Sequence, residues 1–205
     1  MTVLRAVPLD VPRLSCLVSD ADDLSLLPAL AWAGVDGFQV RAKGLTTRDL
    51  VALSRAVLDA VRPYDARVLV NDRLDVALAA GADGVHLGAE DLAVADARRL
   101  APHLLVGATC RTRAGAEAAA ADGADYAGFG PLLATTSKAG LPAPLGVDAV
   151  REAAGVLPLV AIGGLTATTA ADARAAGAHG VAVIGAIWRH PDPLAAAKEL
   201  VQAVA

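Results

Sequence analysis

Short apolar runs recur along the chain, and Ala-rich segments with a helical pattern separate them. Apolar runs of this length, placed between helical segments, indicate buried strands of a parallel sheet covered by helices. Strand and helix alternate eight times, which predicts a (β/α)8 TIM barrel, an α/β fold. The predicted strands are Leu14–Val18, Gly37–Arg41, Arg67–Asn71, Gly84–Leu87, Leu104–Ala108, Tyr126–Gly130, Leu159–Ile162 and Gly180–Ile184. The predicted helices are Asp49–Val61, Leu74–Ala80, Asp91–Leu100, Arg113–Ala121, Val147–Ala154, Thr168–Ala176 and a last one from about Pro193 to Val204.

A short motif repeats where a helix gives way to the next strand. Its copies are Ala-Gly-Val-Asp-Gly (33–37), Ala-Gly-Ala-Asp-Gly (80–84), Asp-Gly-Ala-Asp-Tyr (122–126) and Ala-Gly-Ala-His-Gly (176–180). The first Gly of each copy suits a helix end, because glycine adopts positive φ without strain. The repeat spans most of the chain, so we predict one barrel domain over residues 1–205. A doubly wound open sheet is the main alternative, but no Gly-x-Gly-x-x-Gly follows the first strand.

Composition narrows the class of protein. The 205 residues are 55% hydrophobic and 3% aromatic, so Ala, Val and Leu must fill the core. The net charge is −4 and there is no run of Lys or Arg, which argues against a nucleic-acid partner. No apolar stretch is long enough to span a membrane, and no signal peptide is evident. Two distant cysteines make a disulfide or Cys-based metal site improbable. We therefore expect a cytoplasmic enzyme; small residues on helix exteriors leave room for a homo-oligomer.

The second predicted strand ends in polar residues. Gln39, Arg41 and Lys43 are two residues apart in sequence, so they share one face of the strand. Active sites of such barrels lie at the carboxyl ends of the strands. Two cations at a strand end favour an anion with several oxygens. The alternative is a solvated loop with ordinary surface charges.

Two aspartates follow neighbouring strands. Asp72 comes after the third strand, next to Asn71, and Asp91 follows the fourth strand, which contains His86. Each aspartate could instead cap the next helix. Two carboxylates about 4 Å apart repel by roughly 4 kcal/mol at an effective dielectric near 20. A divalent cation between them removes this cost, and Mg²⁺ accepts one or two carboxylates plus water and phosphate oxygens.

Further phosphate-binding candidates follow the later strands. Thr109, after the fifth strand, can hydrogen-bond a phosphate oxygen. The loop after the sixth strand carries Thr135, Ser137 and Lys138, and long loops of compact domains are often binding loops. Glycines follow the seventh and eighth strands, where such barrels commonly bind phosphate through backbone N–H groups. The chain thus predicts a diphosphate site and a monophosphate site, as expected of an enzyme that joins two phosphorylated molecules and releases diphosphate.

Several segments together match one family pattern. They are Gln39-Val40-Arg41-Ala42-Lys43, Val70-Asn71-Asp72-Arg73, Gly84-Val85-His86-Leu87-Gly88 with Glu90-Asp91, Gly130-Pro131 through Thr135, Ser137 and Lys138, and Ile162-Gly163-Gly164. Over nearly its whole length the chain resembles the thiamin phosphate synthase family. The resemblance implies a Mg²⁺-dependent transferase. It would couple 4-amino-2-methyl-5-pyrimidinylmethyl diphosphate with 4-methyl-5-(2-phosphoethyl)thiazole (or its carboxylate) to give thiamin phosphate and pyrophosphate.

The resemblance also implies a role for each matched residue. Gln39 would hydrogen-bond the aminopyrimidine, with His86 nearby, and Asp72 and Asp91 would hold Mg²⁺. The diphosphate ligands would be Arg41, Lys43, Asn71, Thr109 and Lys138, of which Arg41, Lys43, Thr109 and Lys138 would carry catalysis. The thiazole phosphate side would consist of Thr135, Ser137, Gly164 and the backbone of Ile184 and Gly185. The pyrimidine C–O bond would break before the unprotonated thiazole nitrogen attacks, so no strong general base is needed.

The chain departs from the family pattern at a few places. Ala89 stands where the family often has Gln, Ala134 replaces a frequent Pro, and Ser137 replaces Thr. Gly185 replaces a frequent Ser, which removes one hydroxyl from the monophosphate side.

Two other functions compete. A related thiazole tautomerase resembles the same barrel but uses a His after the fifth strand, where this chain has Arg111. A non-catalytic phosphate-binding barrel is the second alternative.

Overall fold

A closed barrel of eight parallel strands forms the centre of the molecule. The structure, a computed structural model, describes residues 10–135, 140 and 142–205. The strands pair in chain order and β8 closes on β1, so the predicted barrel is confirmed and the doubly wound alternative is wrong. The strands are β1 Leu14–Val18, β2 Gly37–Val40, β3 Arg67–Asn71, β4 Gly84–Leu87, β5 Leu105–Cys110, β6 Tyr126–Phe129, β7 Leu159–Ile162 and β8 Gly180–Val183.

Helices surround the barrel in the part of the chain that the structure describes. They are α1 Leu27–Trp32, α2 Thr47–Val61, α3 Leu74–Ala80, α4 Val94–Leu100, α5 Arg113–Ala121, α6 Asp148–Ala153, α7 Ala167–Ala175, α8 Gly185–Trp188 and α9 Pro193–Val204. Short 3₁₀ turns precede α1 and follow α2. The sequence pattern missed α1 and α8, because elements of six and four residues show no helical period.

Several predicted boundaries are wrong by a few residues, and local hydrogen bonds explain the two largest differences. Helix α4 begins at Val94 rather than Asp91, because the carboxylate of Asp91 accepts from the N–H of Gly88 instead. Strand β5 extends to Cys110 rather than Ala108, since its last two residues still pair with β6.

The repeated motif fixes the amino end of the barrel. The first glycine of each copy has positive φ, as predicted: Gly34, Gly81, Gly123 and Gly177. In three copies the acidic residue of the motif accepts a hydrogen bond from a backbone N–H at the start of a neighbouring strand. Asp36 bonds the N–H of Leu14, Asp83 that of Val68 and Asp125 that of Val106, at 2.7–2.8 Å. These bonds satisfy strand N–H donors that would otherwise be unpaired at the amino end of the barrel.

The core consists of two apolar clusters. The larger one packs the outward faces of the strands against the helices and includes Phe38 and Val40, as the alternation along β2 predicts. The smaller one fills the barrel interior with Leu17, Leu69, Leu105, Tyr126, Val160 and Ala182. This interior cluster forms the floor on which the cavity at the carboxyl ends of the strands rests. No helix among the described residues is long and apolar enough to cross a membrane.

Candidate active site

One cavity of about 690 Å³ opens at the carboxyl ends of the strands. Its volume lies within the range of small-molecule sites, roughly 300–1,000 Å³. Most of the predicted site residues line it: Gln39, Arg41, Lys43, Asn71, Asp72, His86, Thr109, Thr135, Gly164, Ile184 and Gly185. Asp91 lies just behind the cavity wall in contact with Asp72. Ser137 and Lys138 lie outside the described residues.

The end of β2 supplies an amide and two cations. Gln39 is buried, and its Nε2 donates to Oδ1 of Asn71 over 2.8 Å. The Nζ of Lys43 lies 3.1 Å from Oδ2 of Asp72. Arg41 also lines the cavity and acts electrostatically on Asp72. The strand alternation thus places all three polar side chains of β2 and its end around one cavity.

Asp72 and Asp91 form a pair of hydrogen-bonded carboxyl groups. Burial acts to raise the pKa of Asp72, but hydrogen bonds from Asp91 and Lys43 outweigh it and leave that pKa below its usual value. Burial and the neighbouring Asp72 raise the pKa of Asp91, although the N–H of Gly88 opposes this. Neither side chain caps a helix: the N-cap of α3 is Arg73 and that of α4 is Ala93. The capping alternative is therefore wrong.

A histidine lies between the barrel interior and the cavity. Nδ1 of His86 is 3.0 Å from the hydroxyl of Tyr126, and its Nε2 is 3.1 Å from Oγ1 of Thr109. Burial lowers the pKa of His86 to about 4, against the weaker opposing effect of Asp72, so the imidazole is neutral near pH 7. Burial also raises the pKa of Cys110, which argues against a thiolate nucleophile.

The loop after β6 reaches the cavity from the side. Thr135 lines the cavity and lies before the part of the loop that is not described. Arg111 connects the two ends of this loop, donating to the carbonyl of Gly130 over 3.2 Å and to that of Ala143 over 2.8 Å. The guanidinium at this position therefore holds backbone carbonyls and supplies no acid or base.

Glycines bring backbone to the cavity after β7 and β8. Gly163 and Gly164 have φ of 101° and 70°. A Cβ at Gly164 would lie 2.4 Å from the carbonyl oxygen of Ala134, so only glycine fits there. Gly185 begins α8, and its backbone faces the cavity beside Ile184.

Sequence reasoning missed four polar residues of the lining: Ser15, Tyr126, Thr166 and Arg189. Ser15 and Tyr126 lie within apolar strands, where they resemble core positions. One signal did point to Tyr126. It pairs in register with Gly107, and a glycine inside a strand often marks the close approach of another group.

A (β/α)8 barrel with cations, carboxylates and glycine backbone around one cavity at the carboxyl ends of its strands belongs to the class of barrel enzymes that handle phosphorylated small molecules. Within that class, the family model described as thiamine monophosphate synthase matches residues 14–187, and the chain belongs to this family. The family resemblance stated from sequence is therefore confirmed, and the chain is an enzyme of the transferase class.

Individual relatives agree with the family assignment. A thiamine-phosphate synthase of Methanoculleus marisnigri is 50% identical over 181 residues, which cover 87% of this chain and 85% of that protein. A thiamine biosynthesis bifunctional protein of Symbiobacterium thermophilum is 48% identical over 191 residues, covering 92% of this chain and only 40% of that protein. The solved structure of a thiamine phosphate pyrophosphorylase from Pyrococcus furiosus superposes with a TM-score of 0.85 at 32% identity, covering 94% of this chain and 95% of the other.

Proposed function

We propose that this enzyme is a thiamin phosphate synthase. It would couple 4-amino-2-methyl-5-pyrimidinylmethyl diphosphate with 4-methyl-5-(2-phosphoethyl)thiazole, or the carboxylate of that thiazole, and release pyrophosphate. The observation that carries the proposal is the cavity at the carboxyl ends of the strands, whose rim differs in composition from one side to the other. Cationic and amide side chains form one rim, and glycine backbone forms the other. One anion at each rim would bring the two organic groups together above the barrel interior.

The side-chain rim suits the diphosphate that leaves. Arg41, Lys43, Asn71 and Thr109 offer donors there, and Lys138 would join them from the loop. Because Oδ1 of Asn71 accepts from Gln39, the amide N–H groups of Asn71 are left to donate to an anion. Donors aimed at developing negative charge lower the barrier to C–O cleavage without any proton transfer.

The pair of carboxylates fits a magnesium ion. Each carboxyl group acts on the pKa of the other, as expected of two like groups in contact. Two carboxylates are the protein share that Mg²⁺ typically takes, and water and diphosphate oxygens would complete its shell. The described residues contain no cluster of three or more His, Cys, Asp or Glu side chains that could hold a metal ion. Asp72 and Asp91 are the proposed ligands because Asp72 lines the cavity and hydrogen-bonds Asp91. When bound, the ion would neutralise charge on the leaving diphosphate.

The remaining residues would orient the two organic groups. Gln39 gives one amide N–H to Asn71, which leaves its carbonyl to accept from the amino group of the pyrimidine, with His86 beside the ring. The glycine rim would hold the thiazole phosphate through Gly164 and the backbone of Ile184 and Gly185, next to Thr135 and Ser137. Bound this way, the thiazole nitrogen would point at the carbon from which diphosphate departs.

The alternatives account less well for the site. A thiazole tautomerase would need an acid or base where Arg111 instead holds two backbone carbonyls. A non-catalytic phosphate-binding barrel would gain nothing from two carboxyl groups beside its cations, because carboxylates repel a bound anion unless a metal ion lies between them.

The decisive experiment mixes both substrates with Mg²⁺ and measures pyrophosphate release and thiamin phosphate formation. Release that requires both substrates supports the synthase; release without the thiazole contradicts the coupling. Exhaustive chelation should abolish turnover, and added Mg²⁺ should restore it, because the diphosphate would lose its counter-ion. Undiminished turnover after chelation would contradict the metal site. Lys138→Ala should likewise abolish coupling in a folded protein.

A further inference from the structure

Three polar side chains form a chain from the apolar interior of the barrel to the cavity. The hydroxyl of Tyr126 on β6 lies 3.0 Å from Nδ1 of His86 on β4, and Nε2 of His86 lies 3.1 Å from Oγ1 of Thr109 on β5. Tyr126 is 4% exposed and belongs to the interior cluster, whereas Thr109 is exposed and faces the cavity. Tyr126, at the buried end of this hydrogen-bonded series, can therefore influence Thr109, the residue that meets a ligand.

Glycines on the neighbouring strands leave room for both rings, because they have no side chain. A Cβ at Gly107 would lie 2.0 Å from Cζ of Tyr126, and a Cβ at Gly128 would lie 2.5 Å from Cε1 of His86. Both separations are too short for any real Cβ. The rings stack with centroids 5.6 Å apart and an interplanar angle of 29°. The backbone of β5 and β6 is thus shaped to hold these two rings in contact.

The burial of Tyr126 decides which way the protons point. Within the described part of the chain, Nδ1 of His86 is the one hydrogen-bond partner of the Tyr126 hydroxyl. If that hydroxyl accepted from Nδ1–H, its own proton would have no acceptor among the described residues and little access to water, since Tyr126 lines the cavity but is only 4% exposed, and this is costly. The hydroxyl therefore donates to Nδ1.

The remaining protons follow from this first bond. An imidazole whose Nδ1 accepts a hydrogen bond is neutral and carries one ring proton. With Nδ1 accepting, that proton is on Nε2, which donates to Oγ1 of Thr109. The hydroxyl proton of Thr109 must then point away from His86, towards the cavity.

We propose that Tyr126 is a positioning residue that fixes the tautomer of His86, so that Thr109 always presents a hydroxyl proton to an anion in the cavity. This rests on the proposed function, in which that anion is the diphosphate. A donor held in one direction before the substrate arrives needs no reorganisation when charge develops on the leaving group. Without Tyr126, His86 could adopt either tautomer, and in one of them Thr109 would donate to Nε2 instead.

The first test is the tautomer itself in the wild-type protein. Nitrogen NMR of the imidazole side chains should show a proton-free Nδ1 and a protonated Nε2 for His86 between pH 6 and pH 8. His86→Gln assigns the resonances among the four histidines of the chain. A protonated Nδ1 in the wild type would overturn the proposal, whatever any variant does. Tyr126→Phe should give a mixture of the two tautomers.

The second test couples Tyr126 to Thr109 through binding of inorganic pyrophosphate with Mg²⁺. Loss of a well-placed donor to a charged oxygen costs about tenfold in affinity. Thr109→Val should weaken pyrophosphate binding by about this factor. Tyr126→Phe should weaken it less, by roughly twofold for an even mixture of the two tautomers, and the double variant should be no weaker than Thr109→Val alone. Additive losses would overturn the proposal.

Two control variants and one assay complete the design. Thr109→Ser keeps a hydroxyl and should keep the sensitivity to Tyr126→Phe. Tyr64→Phe removes the hydroxyl of the other tyrosine, which is 38% exposed and outside the cavity, and should change nothing. If wild-type enzyme fails to couple the two substrates while the predicted tautomer is observed, the proposed function fails and the tautomer assignment stands.

Discussion

The two sides of the cavity rim are built from different kinds of atoms. On the side of β2 and β3, charged side chains converge, among them Arg41, Lys43 and Asp72. On the side of β7 and β8, Gly164 and Gly185 bring the backbone itself to the cavity. A side chain can be removed without moving the chain, whereas a backbone N–H changes place only when the backbone moves. The two sides should therefore respond to mutation in different ways.

The side-chain rim should show the largest effect. Asp72→Ala removes the carboxylate that pairs with Lys43 and would hold Mg²⁺. We expect kcat to fall by about 1,000-fold, the size of a lost electrostatic group in a water-poor site, without unfolding. Asp75→Ala is the matched control, since Asp75 is 61% exposed and pairs with Arg73 at the surface. Steady-state kinetics and circular dichroism measure both, and normal turnover of Asp72→Ala would refute the role of this carboxylate.

Acid should distinguish the two sides next, because the groups with shifted pKa values, Asp72, Asp91 and His86, lie at the side-chain rim and the barrel interior. The folded-state pKa of His86 is about 4, below its ordinary value of 6.5. As pH falls through 6.5, the unfolded chain binds a proton that the folded one does not. The stabilisation is thus present above pH 6.5 and is lost progressively towards pH 4, by about 3 kcal/mol in total.

The matched comparison for this pH effect is His86→Gln, studied by urea unfolding without metal. Asp91 contributes in the opposite direction, because its raised pKa stabilises the folded state as it protonates. Asp91 and the other histidines remain in both proteins, so the difference between the two pH profiles isolates His86. Parallel profiles from pH 7 to pH 4 would contradict the buried neutral imidazole.

Mutations at the backbone rim should act through steric conflict rather than through loss of charge. Gly164 and Gly81 have nearly the same φ, 70° and 73°. A Cβ at Gly164 would lie 2.4 Å from the carbonyl oxygen of Ala134, but a Cβ at Gly81 would meet nothing within 4 Å. Alanine at either position suffers similar backbone strain of about 1–2 kcal/mol. The added effect at Gly164 therefore measures displacement of the backbone.

We expect Gly164→Ala to raise KM for the thiazole phosphate by about tenfold, through loss of one backbone hydrogen bond to a charged oxygen. The KM for the pyrimidine diphosphate should change much less, because that anion would bind the other rim. Gly81→Ala should leave both KM values unchanged. Equal changes in both KM values for Gly164→Ala would mean that the two rims do not bind different anions.

Sequence predicted the side-chain rim better than the rest of the site, for a physical reason. The alternation along β2 identified Gln39 and Arg41, because polar residues on one face at the carboxyl end of a barrel strand have few explanations other than a site. Tyr126 was missed because a tyrosine in an apolar run has the same pattern as a core residue, and its partner His86 lies 40 positions away in the chain. Arg189 was missed because it follows a helix of four residues, too short to predict.

The barrel itself followed from the repeat, since each copy combines a helix-ending glycine with a residue that starts a strand. What the repeat did not indicate is where the carboxylates of that motif bond. Asp83 and Asp125 cap the neighbouring strands Arg67–Asn71 and Leu105–Cys110, and these partners are known only once strand order is known. Local signals therefore predicted the elements, and packing decided the long-range contacts.

A substitution at Gly185 tests the backbone rim through the smallest of the expected effects. Its φ is not positive, so a side chain is allowed there. An added Cβ would approach Cδ of Arg189 at 3.3 Å, a contact that a long flexible side chain can relieve. Gly185→Ser would add a hydroxyl at the monophosphate side, which should lower KM for the thiazole phosphate by about two- to fivefold, the size of one modest hydrogen bond.

Gly185→Ala is the matched control for that hydroxyl, because it adds the same Cβ without an oxygen. If serine lowers KM for the thiazole phosphate and alanine does not, the hydroxyl itself binds the phosphate. If both lower it equally, the gain comes from a stiffer backbone at the start of α8, as removal of a glycine restricts the unfolded and mobile states. An unchanged KM with serine would mean that the phosphate lies nearer Gly164, away from the end of β8.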